Sequence, residues 1–214
     1  MTARLRPYPV YKSSSLPWLG RIPEDWAIKP LKRCAAINQA TLTETTDPDF
    51  AFQYVDIGAV GEGRMVAKPQ RLSFAAAPSR ARRVVRPGDT MISTVRTYLK
   101  AVCHVASCDE PTVASTGFAV LTPSDMMVPR FLFYSVLSEH FIRRVSANSV
   151  GASYPAIEPS RLGCLPIAVP SDLAEQVQIS SFLDVSLAAI GRLIRAKRRQ
   201  IELLNEQKQA IISW

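Results

Sequence analysis

Basic side chains are concentrated in one part of the chain, residues 64–100. This stretch of 37 residues carries nine Arg and Lys side chains and a single carboxylate, Asp89. Arg presents a planar set of donors that fits the oxygens of a phosphate or the edge of a guanine. We therefore interpret the stretch as a nucleic-acid-binding surface, in preference to a merely solvated basic face.

The net charge of the 214-residue chain is +8 at pH 7, and its distribution supports that interpretation. Residues 171–214 hold six basic and five acidic side chains, a balance of +1, so the remaining +7 lies in residues 1–170. The share of hydrophobic residues, 47%, and of charged residues, 21%, is typical of a folded protein. No apolar run long enough to cross a membrane, no signal peptide and no disulfide pattern is evident, which predicts a cytoplasmic protein without a membrane partner.

Catalytic patterns are missing from the sequence. It has no phosphate-binding loop, no dinucleotide fingerprint and no Asn-Pro-Pro stretch of an amino-methylating methyltransferase. Asp47 and Asp49, the nearest approach to a nuclease carboxylate cluster, lie in a predicted loop. Cys103, His104 and Cys108 would need a fourth ligand to hold zinc, and none is suitably spaced. We expect no enzymatic activity, no metal and no cofactor.

The C-terminal segment predicts one long helix. Asp172 is a good N-cap, and Glu175, three residues later, would complete a capping box. Beyond it, apolar residues recur in alternating steps of four and three, the spacing of a coiled-coil seam. Two lysines interrupt the seam, which favours a pairing surface over a sealed interior. The seam consists of Leu183, Leu187, Ile190, Ile194, Lys197, Ile201, Leu204, Lys208 and Ile211. We predict a dimerisation or docking helix over 171–214, about 60 Å long.

The preceding residues, 1–170, predict a globular head of the α+β class, with a curved mixed β-sheet and few helices. Strand-like patterns cover 51–60, 90–95, 101–106 and 114–123, and a strand pair is predicted over 157–170. A helix is predicted over 128–145, and a short basic turn or helix over 75–83. The polar segments between them are predicted loops, and loops carry binding residues more often than sheet interiors.

Four parts of the chain are similar to one known family. They read PWLGRIPEDW (17–26), RPGDTMIST with STGFAVL (86–94 and 115–121), SVGASYPAIEPSRLGCLPIAVP (149–170), and the helix from EQVQISSF onward (175–213). Together they resemble the DNA-specificity subunit of type I restriction–modification enzymes. Such subunits consist of two tandem copies of a target-recognition domain plus a long helix. The resemblance therefore identifies one copy here, either a natural half-subunit or a fragment.

The resemblance implies a division of labour. The head would read one half of a split double-stranded DNA target, and the helix would pair with the helix of a second copy or second half, giving a homodimer in isolation. Methyltransferase subunits, which carry the S-adenosylmethionine chemistry, and a motor-nuclease subunit would be the protein partners. The specificity subunit itself would do no chemistry. The two alternatives are an assembly protein that does not touch DNA and a stand-alone nuclease.

The predicted DNA contacts fall in three groups. The first is the basic group Arg64, Lys68, Arg71, Arg80, Arg82 and Arg83, for phosphates and base edges. The second is the loop after the central strand, Thr94, Arg96, Thr97, Tyr98 and Lys100, which is similar to a DNA-contacting loop of the family. The third is a loop of small residues, in which Ser149, Ser153 and Tyr154 could donate to phosphates. The predicted helix-pairing residues are Leu183, Leu187, Ile190, Ile194, Ile201, Leu204 and Ile211.

Overall fold

The computed structural model describes residues 7–212 and shows an α+β protein with a long C-terminal helix, as the sequence predicted. The strands are β1 (Tyr11–Ser13), β2 (Arg21–Pro23), β3 (Trp26–Pro30), β4 (Ala35–Ile37), β5 (Ala51–Val55), β6 (Val60–Gly61), β7 (Arg64–Met65), β8 (Gln70–Ser73), β9 (Ala81–Val85), β10 (Thr90–Ser93), β11 (Val102–His104), β12 (Thr112–Ser115), β13 (Phe118–Pro123) and β14 (Pro166–Pro170). The helices are α1 (Pro129–Leu137), α2 (Glu139–Ala147), α3 (Pro159–Gly163) and α4 (Leu173–Ile212). Short 3₁₀ turns cover Leu31–Arg33, Ile57–Ala59 and Thr97–Leu99.

The strands form two four-stranded sheets and three two-stranded ribbons within the described residues. One sheet has the order β11-β10-β13-β4 and is antiparallel throughout. The other has the order β8-β5-β12-β9 and is mixed, because β5 and β12 run parallel. The ribbons pair β1 with β2, β3 with β14, and β6 with β7. The predicted α+β class and the mixed strand pairing are confirmed. The strands are distributed over several sheets.

Alternation along β5 places apolar side chains on both faces of its sheet. Phe52 and Tyr54 are buried in one hydrophobic cluster, together with Val113 of β12. Val55 is buried in a second cluster, against Phe118 of β13. Successive strand residues point to opposite faces, so β5 contributes to two cores. The period-two pattern that predicted this strand reflects the first of those cores.

Gly117 marks the point where the chain passes from one four-stranded sheet to the other. A Cβ at this position would lie 2.3 Å from the Cδ1 atom of Ile57, so the Ile57 side chain would have to shift to admit one. The crossing consists of Thr116 and Gly117, between the end of β12 at Ser115 and the start of β13 at Phe118. The prediction of one continuous strand over 114–123 was wrong, because the chain leaves one sheet after Ser115 and joins the other at Phe118.

Three further sequence predictions are corrected by the structure. The predicted helix 128–145 is two helices, since Ser138 breaks it and its side chain accepts the N–H of Phe141 to cap α2. Within the predicted strand pair 157–170, the first part is the short helix α3, which Pro159 begins. Residues 81–83 belong to strand β9, because pairing with β12 outweighs the local preference for a turn or helix.

The described chain divides into two compact units, residues 7–177 and 178–212. The first turn of α4 belongs to the head, and Asp172 caps it by accepting the N–H of Ala174 at 2.9 Å, as predicted. The predicted capping box is replaced by another contact, because Glu175 accepts the indole N–H of Trp26 at 2.8 Å and the hydroxyl of Tyr8. Gln176 is fully buried and accepts the N–H of Val128 at 2.8 Å.

Helix α4 has 40 residues, which corresponds to about 60 Å. By length and composition alone it could cross a membrane, and a single helix of this kind is weak evidence for a membrane span. Residues 192–208 carry eight charged side chains, six basic and two acidic. Such a charged half is better suited to a water-exposed pairing helix, so the expectation of no membrane partner stays a prediction.

Candidate nucleic-acid interface

The loop after β10 has an unusual backbone. Arg96 and Lys100 both have positive φ angles, 48° and 52°, and flank the 3₁₀ turn Thr97–Leu99. Residues other than glycine adopt this conformation at a cost of about 1–3 kcal/mol, so the surrounding structure must hold it in place. The turn leaves Tyr98 and Leu99 half exposed, at 56% and 50%. The strained loop therefore presents apolar surface together with the exposed Arg96 side chain.

A second segment, distant in sequence, holds this loop. Val95 forms a bridge with Ala156, and the N–H of Ile157 donates to the carbonyl of Thr94 at 2.8 Å. The hydroxyls of Thr97 and Ser149 lie 3.0 Å apart and share a hydrogen bond. We call the two segments, residues 94–100 and 148–157, the Arg96 junction. It unites two predicted groups that lie some fifty residues apart in the sequence.

Arg96 and Tyr154 form the exposed centre of the Arg96 junction. The guanidinium carbon lies 4.8 Å from the centre of the Tyr154 ring, and 65% of Tyr154 is exposed. Among residues 7–212, no carboxylate lies within ion-pair distance of Arg96. A guanidinium stacked on an aromatic ring keeps its N–H edge free for phosphate or guanine, and the ring offers a face to a base or sugar.

The other predicted residues of the Arg96 junction have different roles. Thr94 is buried and its hydroxyl donates to the carbonyl of Gly117 at 2.9 Å, while Thr97 is buried against Ser149. These contacts fix the loop, so the two threonines support the exposed side chains. Ser153 is exposed beside Tyr154. Lys100 is half-buried, and its ammonium lies 2.8 Å from a carboxylate oxygen of Glu139.

A groove of about 550 Å³ opens beside the Arg96 junction. Its lining includes Asn148 and Arg161, whose side chains meet through a 3.2 Å hydrogen bond, and Glu158. Sequence reasoning did not select these three residues. They lie in or next to the family-like stretch 149–170, so the motif itself was the signal, whereas their assembly around one groove depends on the tertiary fold.

Three of the predicted basic residues lie on or beside β9 and are engaged within the head. Arg80 is 3.2 Å from Asp56 and donates to the hydroxyl of Tyr54, a hydrogen bond that raises the pKa of the Arg80 guanidinium further. Arg82 is paired with Glu44 at 3.0 Å and stacks on Phe74 at 4.8 Å. Arg83 is half-buried and donates to the hydroxyl of Thr41 at 3.2 Å.

The remaining basic residues do not join the β9 arginines. Arg71 lies on β8, which with β9 forms the two outer strands of the mixed sheet, about 14 Å apart across three strand spacings. It is 3.6 Å from Glu110. Arg64 is exposed on the β6–β7 hairpin and Lys68 is exposed in the segment that follows. The predicted group of six is thus spread over several places.

The predicted pairing residues of α4 form an exposed apolar stripe. Leu187, Ile190, Ile194, Ile201, Leu204 and Ile211 are all exposed, and Leu183 is half-buried. Leu193, Leu203 and Ile212 are exposed as well and widen the stripe. An apolar stripe of this length is typical of a surface that another protein covers. The structure describes α4 without a partner chain, so pairing stays a prediction.

No site for a metal appears in the part of the chain that the structure describes. Residues 7–212 contain no group of three His, Cys, Asp or Glu side chains placed to hold an ion. The features that the described head does show are charged side chains, exposed aromatic surface and a groove, which are elements of a binding site.

Comparison with known proteins places the chain in a class. Residues 83–203, more than half of the chain, match the family model of the type I restriction modification DNA specificity domain. This range includes the Arg96 junction and most of α4. The chain belongs to this family.

Individual relatives agree with that assignment. The MjaVIII specificity subunit of a type I restriction enzyme from Methanocaldococcus jannaschii is 24% identical over 211 residues, which is 95% of this chain and 48% of the relative. The crystal structure of the HsdS subunit from Thermoanaerobacter tengcongensis is 29% identical with a TM-score of 0.72, covering 82% of this chain and 45% of that one. A structure concerned with complex assembly and conformational transition of the type I R-M system is 30% identical with a TM-score of 0.73, covering 82% and 45%. The chain spans about half the length of these proteins.

Proposed function

We propose that this chain recognises DNA sequence for a type I restriction–modification system and does no chemistry itself. One observation carries the proposal: within the range that matches the family, the Arg96 junction exposes a stacked Arg–Tyr pair, with no carboxylate within ion-pair distance of Arg96 in the described chain. Arg is the side chain best shaped to bind guanine, and an aromatic ring adds sequence-tolerant stacking. The cytoplasm, where the DNA is, is the compartment that this proposal requires.

The head is proposed to read one half of a bipartite double-stranded target. The chain corresponds to about half of its relatives, and its described head contains one Arg96 junction. A second head, from a second copy or from the other half of a full-length subunit, would read the other half. The bases that each half contains depend on side chains of the head, among which Arg96 is the first candidate.

Helix α4 is proposed to set the distance between two such heads and to dock other subunits. Its exposed apolar stripe supports pairing with a second helix, giving a homodimer when the chain is alone. Lys197 and Lys208, placed on the stripe, would select the register. Methyltransferase subunits would bind the paired helices and supply the S-adenosylmethionine chemistry, and a motor-nuclease subunit would complete the complex. No cofactor is assigned to this chain.

Selection from a random-sequence duplex library, combined with light scattering of the purified chain, tests the proposal. A dimer that enriches a short split palindrome supports both the reading head and the pairing helix. A monomer that enriches one half-site supports the head and assigns the helix to other subunits. Absence of enrichment at low salt, where phosphate contacts are strongest, refutes DNA recognition by this chain.

A second candidate function is a non-catalytic assembly protein that does not read DNA. It is favoured by the number of basic side chains already paired with carboxylates, such as Arg71 with Glu110 and Arg82 with Glu44. The salt dependence of duplex binding separates the two functions. A specificity subunit loses affinity steeply with salt because it neutralises several phosphates, whereas an assembly protein shows little binding to lose.

A further inference from the structure

Four charged side chains are linked by ion pairs at the edge of the Arg96 junction. The ammonium of Lys100 lies 2.8 Å from Glu139 and 4.0 Å from Glu62. The guanidinium of Arg143 lies 3.0 Å from the other carboxylate oxygen of Glu139. We call Glu62, Lys100, Glu139 and Arg143 the Lys100 cluster. It contains two acids and two bases, so its formal charge is zero.

The cluster draws its members from three separate elements. Glu62 lies in the β6–β7 turn, Lys100 ends the strained loop of the Arg96 junction, and Glu139 and Arg143 lie one turn apart on α2. Hydrogen bonding to Glu139 raises the pKa of Lys100, and the same bond, followed by that from Arg143, lowers the pKa of Glu139. Lys100 and Glu139 are therefore both charged at neutral pH. Glu139 is the residue that both cations share.

Lys100 and Arg96 lie four residues apart in the sequence, but their charged groups contact different types of side chain. Arg96 stacks on the Tyr154 ring, and within residues 7–212 no carboxylate lies within ion-pair distance of it. Lys100 is held by Glu139, so a phosphate near it is repelled by the carboxylate or must displace it. Binding that is independent of sequence depends on the number of phosphates neutralised. A cation held in this way contributes little to such binding.

We propose that Glu139 limits sequence-independent DNA binding by holding Lys100 and Arg143. Discrimination is the ratio of the affinities for target and for other DNA, so this restraint improves discrimination only where target binding does not depend on the same two cations. The inference rests on the proposed function, because it concerns the DNA-binding face of the same head. Counting charges would attribute control of DNA binding to the basic residues alone, whereas the proposal gives a part of it to an acidic residue of α2.

The test is a binding titration of the full chain with a fluorescent duplex of random sequence over a range of salt. Glu139→Gln keeps the size and polarity of the side chain and removes its charge. We expect about three- to tenfold tighter binding at 50 mM salt or below, and a salt slope steeper by about 0.9 for each cation that gains a phosphate. When Lys100→Ala and Arg143→Ala are both present, adding Glu139→Gln should give no comparable gain.

Glu202→Gln is the matched control. Glu202 pairs with Arg199 at 3.2 Å on α4, so it is, like Glu139, an exposed carboxylate that pairs with an arginine on its own helix. It changes the net charge of the chain equally but lies outside the Lys100 cluster. An equal gain in Glu202→Gln and Glu139→Gln would overturn the proposal, because net charge alone would then explain both.

The other possible results of the titration also support or overturn the proposal. Unchanged or weaker binding by Glu139→Gln overturns the proposal. If wild type binds DNA but the gain survives removal of both cations, the inference fails and the proposed function stands. If wild type does not bind duplex at low salt, the proposed function fails with it. Thermal melts verify folding, and Glu139→Ser, which also removes the carboxylate, must reproduce the gain.

Discussion

Two arginine-containing regions of the head illustrate how differently the same side chain can be used. The Arg96 junction exposes one arginine on an aromatic ring, held by backbone contacts between segments far apart in the sequence. The arginines on and beside β9 are close together in sequence, yet each is bound to groups of the head. The partners that each guanidinium finds after folding therefore distinguish two regions that the sequence assigned together to DNA binding.

The two regions are physically connected through one turn. The N–H of Thr94 donates to the carbonyl of Gly117, and the N–H of Thr116 donates to the carbonyl of Arg80, both at 2.8 Å. The junction and the start of β9 thus rest on successive residues of the same crossing between the two sheets. Substitutions in the Arg96 junction and in the β9 region should therefore have different effects on DNA binding. Substitutions at the turn should affect both regions.

The largest expected difference between the regions is in DNA binding. Arg96→Ala should weaken binding to the selected target by about 2 kcal/mol, roughly thirtyfold, because it removes the exposed guanidinium and its base or phosphate contact. Titration of wild type and variant with the selected duplex measures this effect. A loss below twofold would mean that the Arg96 junction is not the reading surface, and the comparison of the two regions would then have to be reversed.

The turn that supports both regions gives the next largest effect, on stability. Gly117→Ala brings a methyl group within about 2.3 Å of the Ile57 side chain, so the core must shift to admit it. We expect the free energy of unfolding to fall by about 1–2 kcal/mol. Urea unfolding followed by tryptophan fluorescence measures it, with Gly58→Ala, where a Cβ meets open space, as the control. Equal stability of the two variants would show that the crossing is not tightly packed.

Several elements were predictable from sequence because the signals are local. The alternation of Phe52 and Tyr54 predicted a half-buried strand, and Asp172 predicted the start of α4. The strained loop after β10 was recognised as a loop because its residues are polar and lack a strand pattern. In each case the deciding interactions span only a few residues.

The rest depended on contacts between distant residues. Glu175 fits a capping box by spacing, but Trp26 and Tyr8 offer its carboxylate a stronger set of donors. The pairing of Lys100 with Glu139 joins residues 39 positions apart, so no local pattern announces it. For the same reason the union of the two segments of the Arg96 junction, and the separation of Arg71 from the β9 arginines, could not be predicted from spacing.

A smaller effect is expected when the comparison is tested from the β9 side. Arg82→Ala removes the ion pair with Glu44 and the stacking on Phe74, two contacts that Arg82 makes with residues of the head. The free energy of unfolding should fall by about 1 kcal/mol or less, and DNA affinity should change less than threefold. Thermal unfolding and the same duplex titration measure both quantities. A loss of affinity as large as that for Arg96→Ala would show that β9 also faces the DNA.

The smallest expected effect is the pH dependence of the ion pairs beside the Arg96 junction. The pKa of Glu139 is lowered, first by the hydrogen bond from Lys100 and then by that from Arg143. A carboxyl group with a lowered folded-state pKa stabilises the fold above its ordinary pKa, and this contribution is lost as the pH falls through the lowered value.

Wild type should therefore be slightly more stable than Glu139→Gln at neutral pH, and the difference should vanish in acid, below the lowered pKa of Glu139. Melting temperatures of the two proteins, measured in parallel from neutral to acidic pH, would show a gap that closes. A gap that is independent of pH would mean that the Glu139 carboxylate stabilises the fold through its shape rather than its charge. The Lys100 cluster would then not be held by ion pairing, and the contrast between a held Lys100 and a free Arg96 would lose its physical basis.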